Sequence, residues 1–183
     1  GAVGIAKEPS PAKLVVGMLA TEEAWFRRAE GTLRERLGPI DYRSDTLPFH
    51  YTRYYAPEFG DGLRRRFVAF ERLIDPGGLP AVKTWTNALE REWAEDGHRR
   101  INLDPGYMTL AKLVLATTKD HSHRIYLGQG IYAEVTLTYR DRDWQPWPWT
   151  YPDYRSEAYR RILHEIRALL AQQLRKQGKQ NAD

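Results

Sequence analysis

The sequence predicts an α+β fold, a largely antiparallel sheet with helices packed on one face. Three observations carry this. Short apolar runs alternate with amphipathic stretches along one chain; several strand candidates are joined by tight turns; and no repeat or linker divides the 183 residues. That length suits a single domain, and 42% hydrophobic against 28% charged residues is the balance of a globular chain. Residues 1–12 read as a flexible arm, 13–175 as the domain and 176–183 as a frayed tail.

Residues 13–20 (KLVVGMLA) form an apolar run suited to a buried strand. Thr21 is the expected cap of a helix that carries Glu22 and Glu23 in its first turn, buries Phe26, Ala29, Leu33 and Leu37, and stops at Gly38-Pro39. Residues 40–49 and 63–74 read as strands, separated by an aromatic stretch, HYTRYYAPEF, without clear period. A strand–helix–strand–strand opening is compatible with a ferredoxin-like core. In Arg64-Arg65-Arg66, alternation sends Arg65 to the opposite face from its neighbours.

After the turn signal Asp75-Pro76-Gly77-Gly78, residues 79–85 read as a strand and Asn87-x-x-Glu90 as a capping box opening a short helix. Residues 99–103 read as a strand, Asp104-Pro105-Gly106 as a turn, and Leu110, Leu113, Val114 and Thr117, spaced three and four apart, as a helix. The segment 143–154, with three Trp and three Pro, is expected to be irregular; its aromatics either close over a core or form a stacking lid. Ser156 starts a last helix whose stripe runs from Tyr159 through Leu174.

The strongest local signal is HRIYL-GQG-IYAEVTLTY, two β-rich runs around a loop bounded by glycines. With Leu127 facing Ile131, Tyr126 pairs with Tyr132, Ile125 with Ala133 and Arg124 with Glu134. His123, Ile125, Leu127, Ile131, Ala133, Val135 and Leu137 then share an apolar face, and Arg124, Tyr126, Tyr132, Glu134, Thr136 and Thr138 a polar one. Such a face is either a solvated surface holding one ion pair or the floor of a ligand site, with a flat group over the tyrosines and an anion on the Arg.

The candidate acid–base residues are Glu134, Asp104 and His123. The candidate ligand contacts are Arg124, Lys119, Arg65, Tyr107, Tyr126, Tyr132, Thr136 and Tyr151. His121-x-His123 could ligate a metal together with Asp120 or Asp104, but His123 on the apolar face argues against it and no metal site is expected. The chain lacks cysteine, which excludes disulfides and thiolate chemistry, and lacks GxxxxGK[ST], which excludes a Walker-type nucleotide loop. The cofactor is unknown.

Net charge is +4, with 21 Arg against 7 Lys. That is a modest excess for a dedicated nucleic-acid binder, although Arg suits bidentate contact with phosphate. The expected ligand is a phosphorylated, nucleotide-like small molecule. The alternatives are an RNA-binding module without catalysis and an interaction protein whose exposed aromatics form an interface. No membrane association is expected, a cytoplasmic location is, and the oligomeric state is open.

Long motifs carry a family resemblance: residues 13–19 (KLVVGML), 65–76 (RRFVAFERLIDP), 100–107 (RINLDPGY), 115–120 (LATTKD), 123–137 (HRIYLGQGIYAEVTL) and 149–155 (WTYPDYR). On these the chain resembles the domain of unknown function family 4416, over nearly its whole length. The resemblance implies a small, mainly bacterial protein of a family without an established activity, some members of which bear a GTP-binding label. It also implies that the polar residues within these motifs are features of the family.

Overall fold

The computed structural model describes residues 1–182, with side chains to residue 178. Residues 1–11 are exposed and carry no regular structure, and Ala12, bridged to Ile74, enters the core. The elements follow as β1 (Lys13–Ala20), α1 (Glu23–Leu37), β2 (Ile40–Arg43), β3 (Leu47–Pro48), α2 (Ala56–Phe59), β4 (Arg64–Phe70), α3 (Leu79–Glu92), β5 (Asn102–Met108), β6 (Lys112–Thr117), β7 (Ile125–Gly128), β8 (Ile131–Arg140), β9 (Asp143–Pro146) and α4 (Glu157–Ala182).

Among the described residues, nine strands form one antiparallel sheet in the order β2-β4-β1-β5-β6-β8-β7, with β3 beside β4 and β9 beside β8. The first half, β1-α1-β2-β4-α3-β5 with spatial order β2-β4-β1-β5, is a ferredoxin-like core. The fold is therefore α+β. Every residue of β1 is buried, because both faces of this central strand are covered.

On the first face Leu14, Val16, Met18 and Ala20 pack with Phe26, Ala29 and Leu33 of α1 and Leu89 of α3. On the second, Val15, Phe67, Ala69, Met108 and Leu137 pack against Tyr159, Leu163, Ile166 and Leu170 of α4. The expectation of helices on one face thus holds for α1 and α3 and fails for α4. The α4 stripe needs an apolar partner, and the inward residues of β4, β5 and β8 supply one.

Other local expectations are corrected. Residues 79–92 form one helix, not strand plus helix: Leu79, Lys83, Thr86, Leu89 and Glu90 recur at helical spacing and are buried, and Pro80 stands in the first turn. Asn87 therefore lies inside this helix and caps nothing. Asp104-Pro105-Gly106 is not a turn but runs through β5. Residues 112–117 form β6, not a helix, because Leu113 and Val114 are buried in clusters on opposite faces. The second strand is split into β2 and β3, and β4 ends at Phe70. Glu22, not Thr21, caps α1, without a side-chain bond. Ser156 does cap α4, its Oγ accepting from the Tyr159 N–H at 3.2 Å. Residues 176–182, expected as frayed, continue the α4 assignment, and residue 183 lies outside the described residues. No helix among them is long and apolar enough to cross a membrane.

The hairpin forms with Tyr126 opposite Tyr132 and Ile125 opposite Ala133, but a bulge then sets Gly128, not Leu127, opposite Ile131. Gly128, Gln129 and Gly130 all take positive φ, which is why glycines bound this loop. Because β7 is the edge strand, Ile125 and Leu127 are exposed rather than core.

Candidate functional site

Helix α4 covers only part of the second face. At the uncovered end a row of polar side chains crosses the sheet: Arg65 from β4, Asn102 and Asp104 from β5, Thr117 from β6 and Glu134 from β8. The segment after β9 and the loop around Tyr54 wall them in, leaving a cleft of about 230 Å³. Five cationic side chains (Arg65, Lys83, Arg99, Lys119 and Arg124) and three carboxylates (Asp104, Glu134 and Asp153) line it.

Arg65 stands at the floor, almost fully buried. Its two terminal nitrogens meet Asp104 Oδ2 at 3.2 Å and Asp153 Oδ2 at 3.3 Å, and its Nε donates to the Tyr159 hydroxyl at 3.0 Å. Burial works against the charge, but Tyr159, Tyr154, Asp104 and Asp153 outweigh it and hold the guanidinium pKa above its ordinary value. Burial pushes the Asp153 carboxyl up, with Arg65 pulling it back. The network continues outward. Asn102 Nδ2 donates to Asp104 Oδ2 at 2.9 Å, Arg99 Nη1 donates to Asn102 Oδ1 at 2.7 Å, and Arg99 grips Glu58 through Nε and Nη2. That grip lowers the Glu58 pKa. Behind it, burial raises the Glu90 carboxyl to about 7, although Oε2 accepts from the Leu103 N–H at 2.6 Å.

The second cluster is built by the hairpin. Arg124 reaches Glu134 Oε1 through Nε at 3.2 Å and Nη2 at 3.1 Å, and both side chains are about 5% exposed. His123 Nε2 meets the same oxygen at 2.8 Å, and the Thr136 hydroxyl donates to Oε2 at 3.0 Å. The His123 ring stacks on Trp149 at 5.1 Å, which stacks on Trp147 at 5.3 Å. Trp149 is fixed in turn by donating Nε1–H to the Val135 carbonyl. The stretch from Trp147 to Trp149 thus braces the hairpin end; the expectation that 143–154 is irregular is corrected on either side of it, where Asp143–Pro146 pairs with β8 as β9 and Pro152–Arg155 forms a 3-10 turn.

The predicted residues divide accordingly. Glu134, Asp104, Arg124, Lys119, Arg65 and Tyr151 line the cleft together. His123 and Thr136 stand behind Glu134 as its hydrogen-bond partners, and the expectation of His123 on the apolar face is corrected by that bond. Tyr126 and Tyr132 meet each other at 5.1 Å outside the cleft, with Tyr126 exposed. Tyr107 packs on the first face near Val114 and Leu79. Reading the sequence missed Lys83, Arg99, Tyr54 and Tyr55 as cleft residues. The usable signal was the helical spacing that puts Lys83 and Glu90 on one face of α3.

A second hollow, of about 260 Å³, adjoins the first and shares Tyr54, Tyr55, Lys119, Tyr151 and Asp153 with it; Phe49, Tyr51, Thr52 and Pro152 complete its walls. Its rings brace one another edge to face, Phe49 on Tyr51 at 5.6 Å and Tyr54 on Tyr55 at 5.1 Å. Tyr54 and Tyr151 are largely exposed.

The model of the domain of unknown function DUF4416 matches residues 10–169, and the chain belongs to that family. No curated protein and no solved structure matches it. The matched span contains every residue of both hollows.

Proposed function

We propose that this protein binds a phosphorylated, nucleotide-like small molecule, its anionic part in the cationic cleft and its ring in the aromatic annex. The observation that carries this reading is the shared wall: a cleft richer in cations than in carboxylates opens directly onto a hollow lined by tyrosines. Ion pairs hold the three arginines in fixed orientations before any ligand arrives, so little side-chain freedom is lost on binding. A planar ring between tyrosines gains stacking contacts without needing sequence-like readout.

The three carboxylates differ in availability. Glu134 and Asp153 are about 5% and 8% exposed and are occupied with Arg124 and Arg65, which makes them positioning residues. Asp104 is 27% exposed, and only its Oδ2 is hydrogen-bonded among the described residues. Asp104 is therefore the group available to exchange a proton with a bound ligand.

Thermal-shift titration with the 5′-ribonucleoside monophosphates, their nucleosides, inorganic phosphate and short single-stranded RNA tests the reading. The expected result is a rise in melting temperature with monophosphates at millimolar concentration. No shift from any phosphate compound overturns the reading. A shift from RNA alone, growing with its length and collapsing with salt, replaces it with the RNA-binding alternative.

A further inference from the structure

Two lysines in the described chain are almost entirely buried, and they are treated differently. Lys13 is fully buried, and its Nζ donates to Asp41 at 2.6 Å, the Phe70 carbonyl at 2.9 Å and Gln173 at 2.7 Å. Lys83 is 8% exposed and, among the described residues, has neither a hydrogen-bond acceptor nor a carboxylate within bonding distance. Its stem is covered while its ammonium nitrogen keeps contact with solvent in the cleft, and Glu90 acts on it from beyond bonding distance.

Its position brings it to the cleft from the far side of the sheet. Lys83 belongs to α3, which packs on the first face, yet it lines the cleft on the second. The sheet is open at this point. The β5–β6 ladder stops at Gly106 opposite Leu115, while β5 stays paired with β1 back to Asn102 and β6 with β8 as far as Thr117. Thr109 N–H donates to the Lys112 carbonyl, so alternation aims the backbone nitrogens of Tyr107 and Pro105 at β6 as well. Pro105 has no N–H to give, and the ladder ends there. Lys83 and Ala116, both from the first face, line the cleft at this parting of the strands.

Lys119 is the other cleft cation without a carboxylate partner among the described residues; its Nζ meets the Tyr54 hydroxyl at 3.4 Å and lies 5.1 Å from the centre of that ring. All three arginines are neutralised by acids. Both lysines thus line one cleft, and among the described residues neither has a carboxylate within bonding distance.

We infer that Lys83, reaching the cleft where Pro105 parts β5 from β6, binds together with Lys119 the doubly charged phosphate monoester of the ligand. This deepens the reading above and rests on it. Two ammonium groups match a dianion, and each contributes N–H donors to phosphate oxygens.

Calorimetric titration of wild type and Lys83→Met with the 5′-ribonucleoside monophosphates and their nucleosides tests it. The variant should bind monophosphates roughly 10- to 100-fold more weakly, bind nucleosides unchanged, and melt close to wild type, since Met keeps the covered stem and removes a charge that makes no hydrogen bond among the described residues. Wild-type binding that Lys83→Met leaves intact overturns the inference while the nucleotide reading stands; no binding to wild type overturns both. In wild-type protein, inorganic phosphate should also protect Lys83 from acetylation, read by mass spectrometry, with exposed Lys7 unaffected. Equal labelling with and without phosphate contradicts the assignment even if the variant does not fold.

Discussion

Arg124 and Glu134 show how a single pair can define a site. Each leaves water on folding, and each is held by more than its partner: Glu134 by His123 and Thr136, Arg124 by the Lys119 carbonyl. Removing one member strands the other. Glu134→Ala should therefore cost about 3–5 kcal/mol, measured by urea denaturation, whereas a loss below about 0.5 kcal/mol would mean a solvated surface pair. Gly106 is equally constrained. A Cβ there would stand 2.4 Å from the Val114 carbonyl oxygen and 2.6 Å from Leu115 Cδ2. Gly106→Ala should destabilise the protein by more than about 2 kcal/mol in the same assay. The Arg124–Glu134 pair was legible in the sequence because the hairpin register follows from its loop. Lys83 and Arg99 were not, because their place in the cleft depends on elements that approach from opposite sides of the sheet.

At the scale of elements, the misread segments share one physical cause. In a sheet covered on both faces, strand residues are apolar without alternation, so Leu110, Leu113 and Val114 imitate helical spacing. Asp104-Pro105-Gly106 imitates a turn because its proline sits in a strand at the one place where no ladder bond is required of it. Helix α3 was split for the converse reason: its buried face carries Lys83, Thr86 and Glu90 among the apolar residues, which hides the helical stripe.

The same helix carries a pH signature. The folded Glu90 pKa, about 7, lies above the ordinary value of 4.5. Between those values the folded state binds more protons than the unfolded one, so this group lowers stability as pH rises through the window and costs most above it. The shift corresponds to roughly 3 kcal/mol. Glu90→Gln should remove that slope between pH 4.5 and 7 and raise stability at neutral pH, in denaturation curves across pH. An unchanged slope would show that Glu90 is charged throughout. Glu23, Glu58 and Asp143 act in the opposite sense, each held below its ordinary value by hydrogen bonds from Arg66, Arg99 and His164 respectively, and stability they contribute is lost as pH falls.

For the whole molecule, a net charge of +4 gives little long-range attraction, and the local excess of cations within one cleft matters more. Binding of a monophosphate should weaken only gently between low and physiological salt, because few counterions are displaced; a slope of many ions would point to a polymeric partner. The fold class and the ferredoxin-like opening were legible from β1, α1 and the hairpin, whose local signals agree with their tertiary setting. The aromatic annex was not, since the residues from His50 to Phe59 have no period and are ordered by packing on Tyr159 and on one another. Backbone amide shifts in an NMR titration with a 5′-ribonucleoside monophosphate test this account most directly. Perturbations should gather at Arg65, Asp104, Lys119 and Arg124 and extend to Tyr54 and Tyr151; shifts confined to the exposed edge strand β7 or to the helical face of α1, or none at all, would contradict it.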